Sequence, residues 1–147
     1  FVCPPLGESK EGNNYTHEQR LEGFRDAMGS RFTGAQIISS ESYEEEAASI
    51  LEERGGRTAF FCSGDIYAMD IMKYLKARGK RAPKDYGIMG FDDIELLEYL
   101  SPRLSTIYNS VEEVAKRAVE LLYDEMEGRE IAMETYERYR LVQGETL

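Results

Sequence analysis

The feature that most limits what this chain can become is a regular alternation of two kinds of segment. Short apolar runs, TAFFC at residues 58–62 and YGIMGF at 86–91, each lead into an acidic turn, Ser63-Gly64-Asp65 and Asp92-Asp93. Amphipathic stretches with helical spacing lie between and around them. Runs this short and this apolar suit strands buried on both faces, and such strands pair in parallel through crossover helices. The alternation therefore predicts an α/β fold: a mostly parallel open sheet with helices on both faces.

The helical stretches carry their own boundaries. Leu21, Phe24, Arg25 and Met28 follow helical spacing and stop at Gly29, and Ile66, Met69, Met72 and Leu75 share one face before Gly79. Thr16 with Gln19, Ser42 with Glu45, and Ser110 with Glu113 have the spacing of capping boxes, so three helices are expected to open there. The second runs to Arg54, ahead of Gly55-Gly56. The third covers residues 111–126, carries Val111, Val114, Ala115, Ala118, Leu122 and Met126 on one stripe, and stops at Gly128. A polar loop is expected over residues 7–15, and further strands at residues 1–3, 35–39, 104–108 and 136–142. No internal repeat or low-complexity segment interrupts this order.

Composition narrows the function. With 147 residues, 41% of them hydrophobic, the chain can bury the core of one domain. No apolar run approaches the roughly 18 residues of a membrane span. The chain opens on a strand at Phe1, with no Met and no basic leader, and reads as part of a longer protein. Asp and Glu outnumber Lys and Arg 28 to 18, a net charge of −10, whereas a nucleic-acid reader needs a basic face. Cys3 and Cys62 lack CxxC spacing and read as free thiols of a reducing cytoplasm. His17 is the only histidine, which removes most triads and multi-histidine metal sites, and it reads as a surface residue at a helix start. There is no GxGxxG and no phosphate loop. Glu44-Glu45-Glu46 suits the positive end of a helix dipole better than a metal. No catalytic residue, metal or cofactor is expected, and the chain does not read as an enzyme.

Ligand chemistry in open α/β sheets gathers at the carboxyl ends of the strands. Asp65 and Asp92 follow two such ends, and Arg20 lies just past the loop after the first strand. An arginine fork with several carboxylates around one crevice suits a neutral polyol or sugar.

The same residues resemble the LacI/GalR family of bacterial transcription regulators. Arg20-Leu-Glu-Gly23-Phe24 resembles the family's R-x-x-G-F, and residues 58–68 (TAFFCSGDIYA) resemble T-A-[IV]-[FV]-x-x-N-D-x-x-A. Pro83-Lys-Asp85 followed by Gly90-Phe91-Asp92-Asp93 resembles V-P-x-D…G-[FY]-D-D. Residues 99–107 (YLSPRLSTI) resemble Y-x-x-P-x-L-T-T-[IV], and the helix from Val111 to Gly128 resembles the family's penultimate segment. Five motifs in order cover nearly the whole chain. The resemblance implies a periplasmic-binding-protein-like lobe of type I: residues 1–107 as the C-terminal lobe of an effector-binding domain, and 108–147 as the crossover helix and last strand. The N-terminal lobe and the helix-turn-helix headpiece would lie outside this chain. It further implies effector contacts at Arg20, Asp92, Asp65 and Asn109, and a homodimer surface near Tyr99. The chain departs from the pattern at Gly64, where the family has asparagine, at Asp70, where a small residue is usual, and at Gly144, near the place of an arginine.

The function implied is small-molecule effector sensing, a sugar or a derivative, that changes operator binding in a cytoplasmic repressor. DNA would be reached only through the headpiece, and no membrane is involved. The alternative is a transport-type periplasmic sugar-binding protein of the same fold. An uncovered apolar stripe on residues 111–126 would favour a homodimer in which Val111, Val114, Ala118 and Leu122 join Tyr99 at the interface, or else fold back on its own sheet.

Overall fold

Alternate side chains of the apolar runs point to opposite faces, and that period of two sorts the core into two layers. A computed structural model describes residues 1–6, 14–54 and 58–147. β1 (Ala59–Phe61) pairs in parallel with β2 (Gly87–Met89), with Phe60 opposite Ile88. Single-residue parallel bridges widen this pair: Ile38 to Val2 and Val2 to Cys62 on one side, Met89 to Ser105 and Asp92 to Tyr108 on the other. β3 (Thr106–Tyr108) then pairs antiparallel with β4 (Arg140–Val142), which forms the edge. The result is the mostly parallel open sheet expected from the alternation.

Among the described residues, α1 (Asn14–Met28), α2 (Tyr43–Arg54) and α3 (Asp65–Ala77) cover it, while α4 (Val111–Met126) follows β3 and buries none of its residues. Val2, Phe60, Cys62 and Ile88 face Ala47, Ala48 and Leu51 of α2 and Ala68, Ile71 and Leu75 of α3 in one core. Phe1, Cys3 and Phe61 face Leu21 and Phe24 of α1 in the other. Ile71 and Leu75 are fully buried, and side chains of their size contribute about 1.5–3 kcal/mol each by burial. Near the C-terminus, Thr146 Oγ1 donates to Ile88 O at 2.6 Å and accepts from Ser105 N at 2.9 Å, so the tail is knitted between β2 and β3. Gly144 makes that approach possible, because a Cβ there would collide with the backbone of Arg103 and Leu104.

Several boundaries differ from the sequence reading. The strand expected over 35–39 shrinks to one bridge at Ile38, because residues 34–36 wind into a 3₁₀ turn that Thr33 and Gln36 close. The strand over 136–142 shortens to Arg140–Val142, since β3 offers only three residues to pair with. α1 opens at Asn14, so Thr16 and Gln19 lie inside the helix and do not cap it. Ser110 stands at the start of α4, but its hydroxyl donates to Arg138 O and not to the helix. α2 does open directly after Ser42, whose carbonyl accepts from Glu45 and Glu46. The loop expected over residues 7–15 falls mostly on residues 7–13, and the stop at Gly55-Gly56 falls on 55–57; both lie outside the described residues. Among the described residues no helix is long and apolar enough to cross a membrane.

Candidate functional site

Three strand ends and one helix converge. Ser63 follows β1, Asp92 follows β2, Asn109 follows β3, and α1 brings Arg20 across them. Arg20 Nη2 donates to Asp92 Oδ1 at 2.9 Å, and its other terminal nitrogen donates to the Ser63 carbonyl. The guanidinium lies 3.9 Å above the centre of the Phe91 ring. Asn109 Nδ2 approaches the same Asp92 oxygen at 3.5 Å. Arg20, Asp92 and Asn109, which the sequence reading grouped, are thus brought together. The Arg20 side chain is only 12% exposed, against 35% for Asp92, so the arginine is the fixed wall and the carboxylate the accessible edge.

Asp92 sits in a conformation that side chains rarely adopt. Its φ is 114°, and Asp93 follows at 56°. Such backbone costs on the order of 1–3 kcal/mol per residue and persists where surroundings over-determine it. Three bonds do so here: Arg20 to the Asp92 carboxylate, the Asp92 N–H to Ile107 O at 2.8 Å, and the Ile94 N–H to Asp65 Oδ2 at 3.0 Å.

That last bond changes the reading of Asp65. The resemblance implies an effector contact there, but the structure buries Asp65 beneath the crevice, 1% exposed. Thr106 Oγ1 donates to its Oδ1 at 2.6 Å, while its own N–H donates to Phe91 O at 2.8 Å. Burial pushes its carboxyl above the usual range, and the bonds from Thr106 and Ile94 partly offset this. Gly90 supplies the room, since a Cβ at that position would collide with Asp65 Oδ1. Asp65 therefore ties α3, β3 and the Asp92 turn into one body, and has no oxygen facing solvent.

His17 was read as a surface residue and is not one. It is half-buried on α1, its ring edge-on to Tyr67 at 5.8 Å between centroids. Its Nδ1 is buried, and among the described residues neither it nor the buried Ser63 Oγ has a hydrogen-bond partner. Burial, and secondarily Arg20, hold its pKa below 6.5, while Asp92 pulls the other way. The sequence signal that placed it here was its spacing: His17 lies one helical turn before Arg20 and so shares its face. Tyr67, on the first turn of α3, was missed in the same way.

The residues assigned to an interface lie elsewhere. Tyr99 is 84% exposed on a 3₁₀ turn (Glu95–Tyr99). Val111, Val114 and Leu122 are each at least half exposed, Ala118 is exposed, and α4 buries none of its residues. The stripe does not fold back on its own sheet. Among the described residues no group of His, Cys, Asp and Glu has the arrangement of a metal site.

A half-open parallel lobe with a polar crevice at its strand ends defines the class of binding domain built on the periplasmic-binding-protein plan. The family model described as a periplasmic binding protein-like domain matches residues 1–147. The chain belongs to that family, in the form carried by LacI/GalR transcription regulators. It is 31% identical over 129 residues to the HTH-type transcriptional repressor PurR of Vibrio cholerae, covering 83% of this chain and 38% of that protein. It is 37% identical over 112 residues to the ribose operon repressor of Haemophilus influenzae, covering 71% and 34%. Among solved structures it is similar to a LacI family regulator from Arthrobacter sp. FB24 in complex with lactose, at 28% identity and a TM-score of 0.74, covering 99% of this chain and 56% of that one. The chain thus spans well under half the length of these curated relatives.

Proposed function

We propose that this chain is the effector-sensing lobe of a LacI-type regulator, and that a sugar or related polyhydroxylated molecule binds between Arg20, Asp92 and Asn109. The observation that carries the reading is the Arg20–Asp92 pair, held across the strand ends with one carboxylate edge open. The relatives' names support it, a ribose operon repressor and a lactose complex among them. Asp65 enters as the support beneath the Asp92 turn. Residues 1–107 form the lobe and 108–147 the crossover helix and return. Effector would favour one arrangement of this lobe against the rest of the protein, and so change operator affinity in the cytoplasm without any catalytic step. DNA contact falls to a headpiece outside this acidic chain.

Calorimetry on the full-length protein tests the site. Arg20→Ala or Asp92→Ala should weaken effector binding by about 1.5–3 kcal/mol, the loss of a charge-assisted hydrogen bond. Unchanged affinity in both variants rejects it.

A second copy is the proposed partner of the uncovered surfaces. Beside Tyr99 lies a cleft of about 780 Å³ between α3 and residues 100–102, floored by Met69, Met72 and Pro102 and rimmed by Lys73, Lys76 and Arg81. None of these three cations forms an ion pair among the described residues. The adjoining turn offers the complement, exposed Leu96 and Tyr99 flanked by Glu95 and Glu98. An acidic apolar knob next to a basic apolar cleft is the arrangement that a two-fold axis satisfies twice. The α4 stripe of Val111, Val114, Ala118 and Leu122 adds apolar area to that association.

A further inference from the structure

A row of side chains leads out of the crevice and ends in the cleft beside Tyr99. Tyr67 flanks Gly64 across from Asp92: a Cβ built at Gly64 would lie 3.4 Å from the Tyr67 ring and 3.6 Å from Asp92 Oδ2. His17 meets that ring edge-on, at 5.8 Å between centroids and 82° between planes. Tyr43, the first residue of α2, meets it too, at 5.5 Å and 78°. The Tyr43 hydroxyl donates to Asp70 Oδ2 at 2.8 Å. Burial, and secondarily Asp70, push the Tyr43 phenol well above its usual range, so it remains a donor. Asp70 lines the cleft with Met69, Met72 and Lys73. It is also a departure from the family pattern that the crevice leaves unexplained: an alanine or glycine there offers Tyr43 no side-chain acceptor.

From this row we infer that Tyr43 and Asp70 are positioning residues: a second copy seated in the cleft fixes the Tyr67 ring through them, so that self-association tightens effector binding and effector tightens self-association. The inference rests on the sugar-sensing and second-copy readings and adds the regulation that joins them. Two groups compete for Asp70. Tyr43 reaches it from α2, and Lys73 lies one turn along α3, where neighbours of opposite charge attract. Lys73 forms no ion pair among the described residues. The Glu95–Glu98 turn of a second copy draws Lys73 outward and leaves Asp70 to Tyr43. It also removes water from the cleft, and a charge-assisted hydrogen bond strengthens in a lower dielectric. With its hydroxyl held, Tyr43 keeps its angle, and each edge-on contact passes that restraint to the next ring. Tyr67 and His17 are then in place before effector arrives, and such preorganisation raises affinity. Linkage makes the effect reciprocal.

NMR of the full-length protein tests the row without a ligand, with histidine labelled and the His17 ring signal assigned by its loss in His17→Gln. The wild type is compared below and above its association midpoint; where it stays associated throughout, Tyr99→Asp supplies the dissociated state. The His17 signal should shift on association in wild type. Tyr43→Phe, which keeps the ring and removes the bond, should abolish that shift and leave the circular dichroism spectrum unchanged, which separates a lost coupling from a lost fold. Asp70→Ala should abolish it too, whereas Asp70→Asn, which keeps an acceptor, should retain it. Calorimetry with D-ribose and lactose adds the affinity. At least one should bind the associated wild type about fivefold or more tighter than the dissociated protein, and Tyr43→Phe should bring the two within about twofold. A His17 signal that ignores association, or that moves as far in Tyr43→Phe, overturns the inference and leaves both readings standing. Failure of both sugars to bind overturns the sugar-sensing reading, while the His17 shift still decides the row. A protein monomeric at every concentration overturns the second-copy reading and the inference with it.

Discussion

Replacing Arg20 by alanine removes one side chain from three different partners, so its cost can be worked group by group. The Ser63 carbonyl belongs to a residue with no exposure and would lose its donor. An unsatisfied buried polar group costs about 1–3 kcal/mol. Asp92 would lose its ion pair, but at 35% exposure water recovers most of that, leaving about 0.2–1 kcal/mol. The contact with the Phe91 ring contributes about 0.5–1 kcal/mol more. These terms share one network and are not additive, so about 2–3 kcal/mol is expected in total, a fall of about 5–10 °C in Tm for a domain of this size. Urea unfolding of wild type, Arg20→Ala and Asp92→Ala measures it, with the double variant closing the cycle. Arg20→Lys should rescue little, since an ammonium lacks the fork that spans Ser63 O and Asp92. A loss below about 0.5 kcal/mol for Arg20→Ala would refute the claim that the guanidinium holds this turn in place.

Gly90→Ala should destabilise by about 1–3 kcal/mol in the same assay, since its Cβ runs into the buried Asp65 carboxylate; a neutral result would mean that Asp65 can move aside. His17 has a native pKa below its unfolded 6.5, so the unfolded state binds its proton more readily. Stability should therefore rise with pH between that lowered native value and 6.5, and fall as pH drops through the same window, and His17→Gln should flatten this slope in a series of urea midpoints. In sedimentation velocity the chain should associate with increasing concentration, Leu122→Asp with Tyr99→Asp should weaken association, and raised salt should weaken it further if the Lys73–Arg81 rim meets the Glu95–Glu98 turn. A monomer at all concentrations would sink the proposed interface.

What sequence could and could not reveal follows from how far each signal reaches along the chain. β1 and β2 were legible because buried parallel strands need unbroken apolar runs, and TAFFC and YGIMGF are such runs. The strands near Val2 and Ile38 were over-read, because their extent is set by neighbours: a strand is only as long as the partner beside it. The capping boxes at Thr16 and Ser110 are local patterns that the structure does not use: α1 already opens at Asn14, ahead of Thr16, and Ser110 turns to a nonlocal partner. The Ser110 hydroxyl finds the Arg138 carbonyl 28 residues away, a partner no spacing rule can anticipate. Asp92 was legible because it follows a strand end, and Arg20 because it lies just past the loop after the first strand, both in residue patterns tied to a crevice. Asp65 shared that position, yet the structure buries it, and only the absence of a side chain at Gly90 signals the space it fills. His17 shows the opposite failure. Its helical position one turn before Arg20 put it on the crevice face, but a lone histidine near a helix start looks the same in sequence whether it meets water or Tyr67. The pairing across α1 and α3 that makes it a site residue exists only once both cores have brought those helices to the two sides of one sheet.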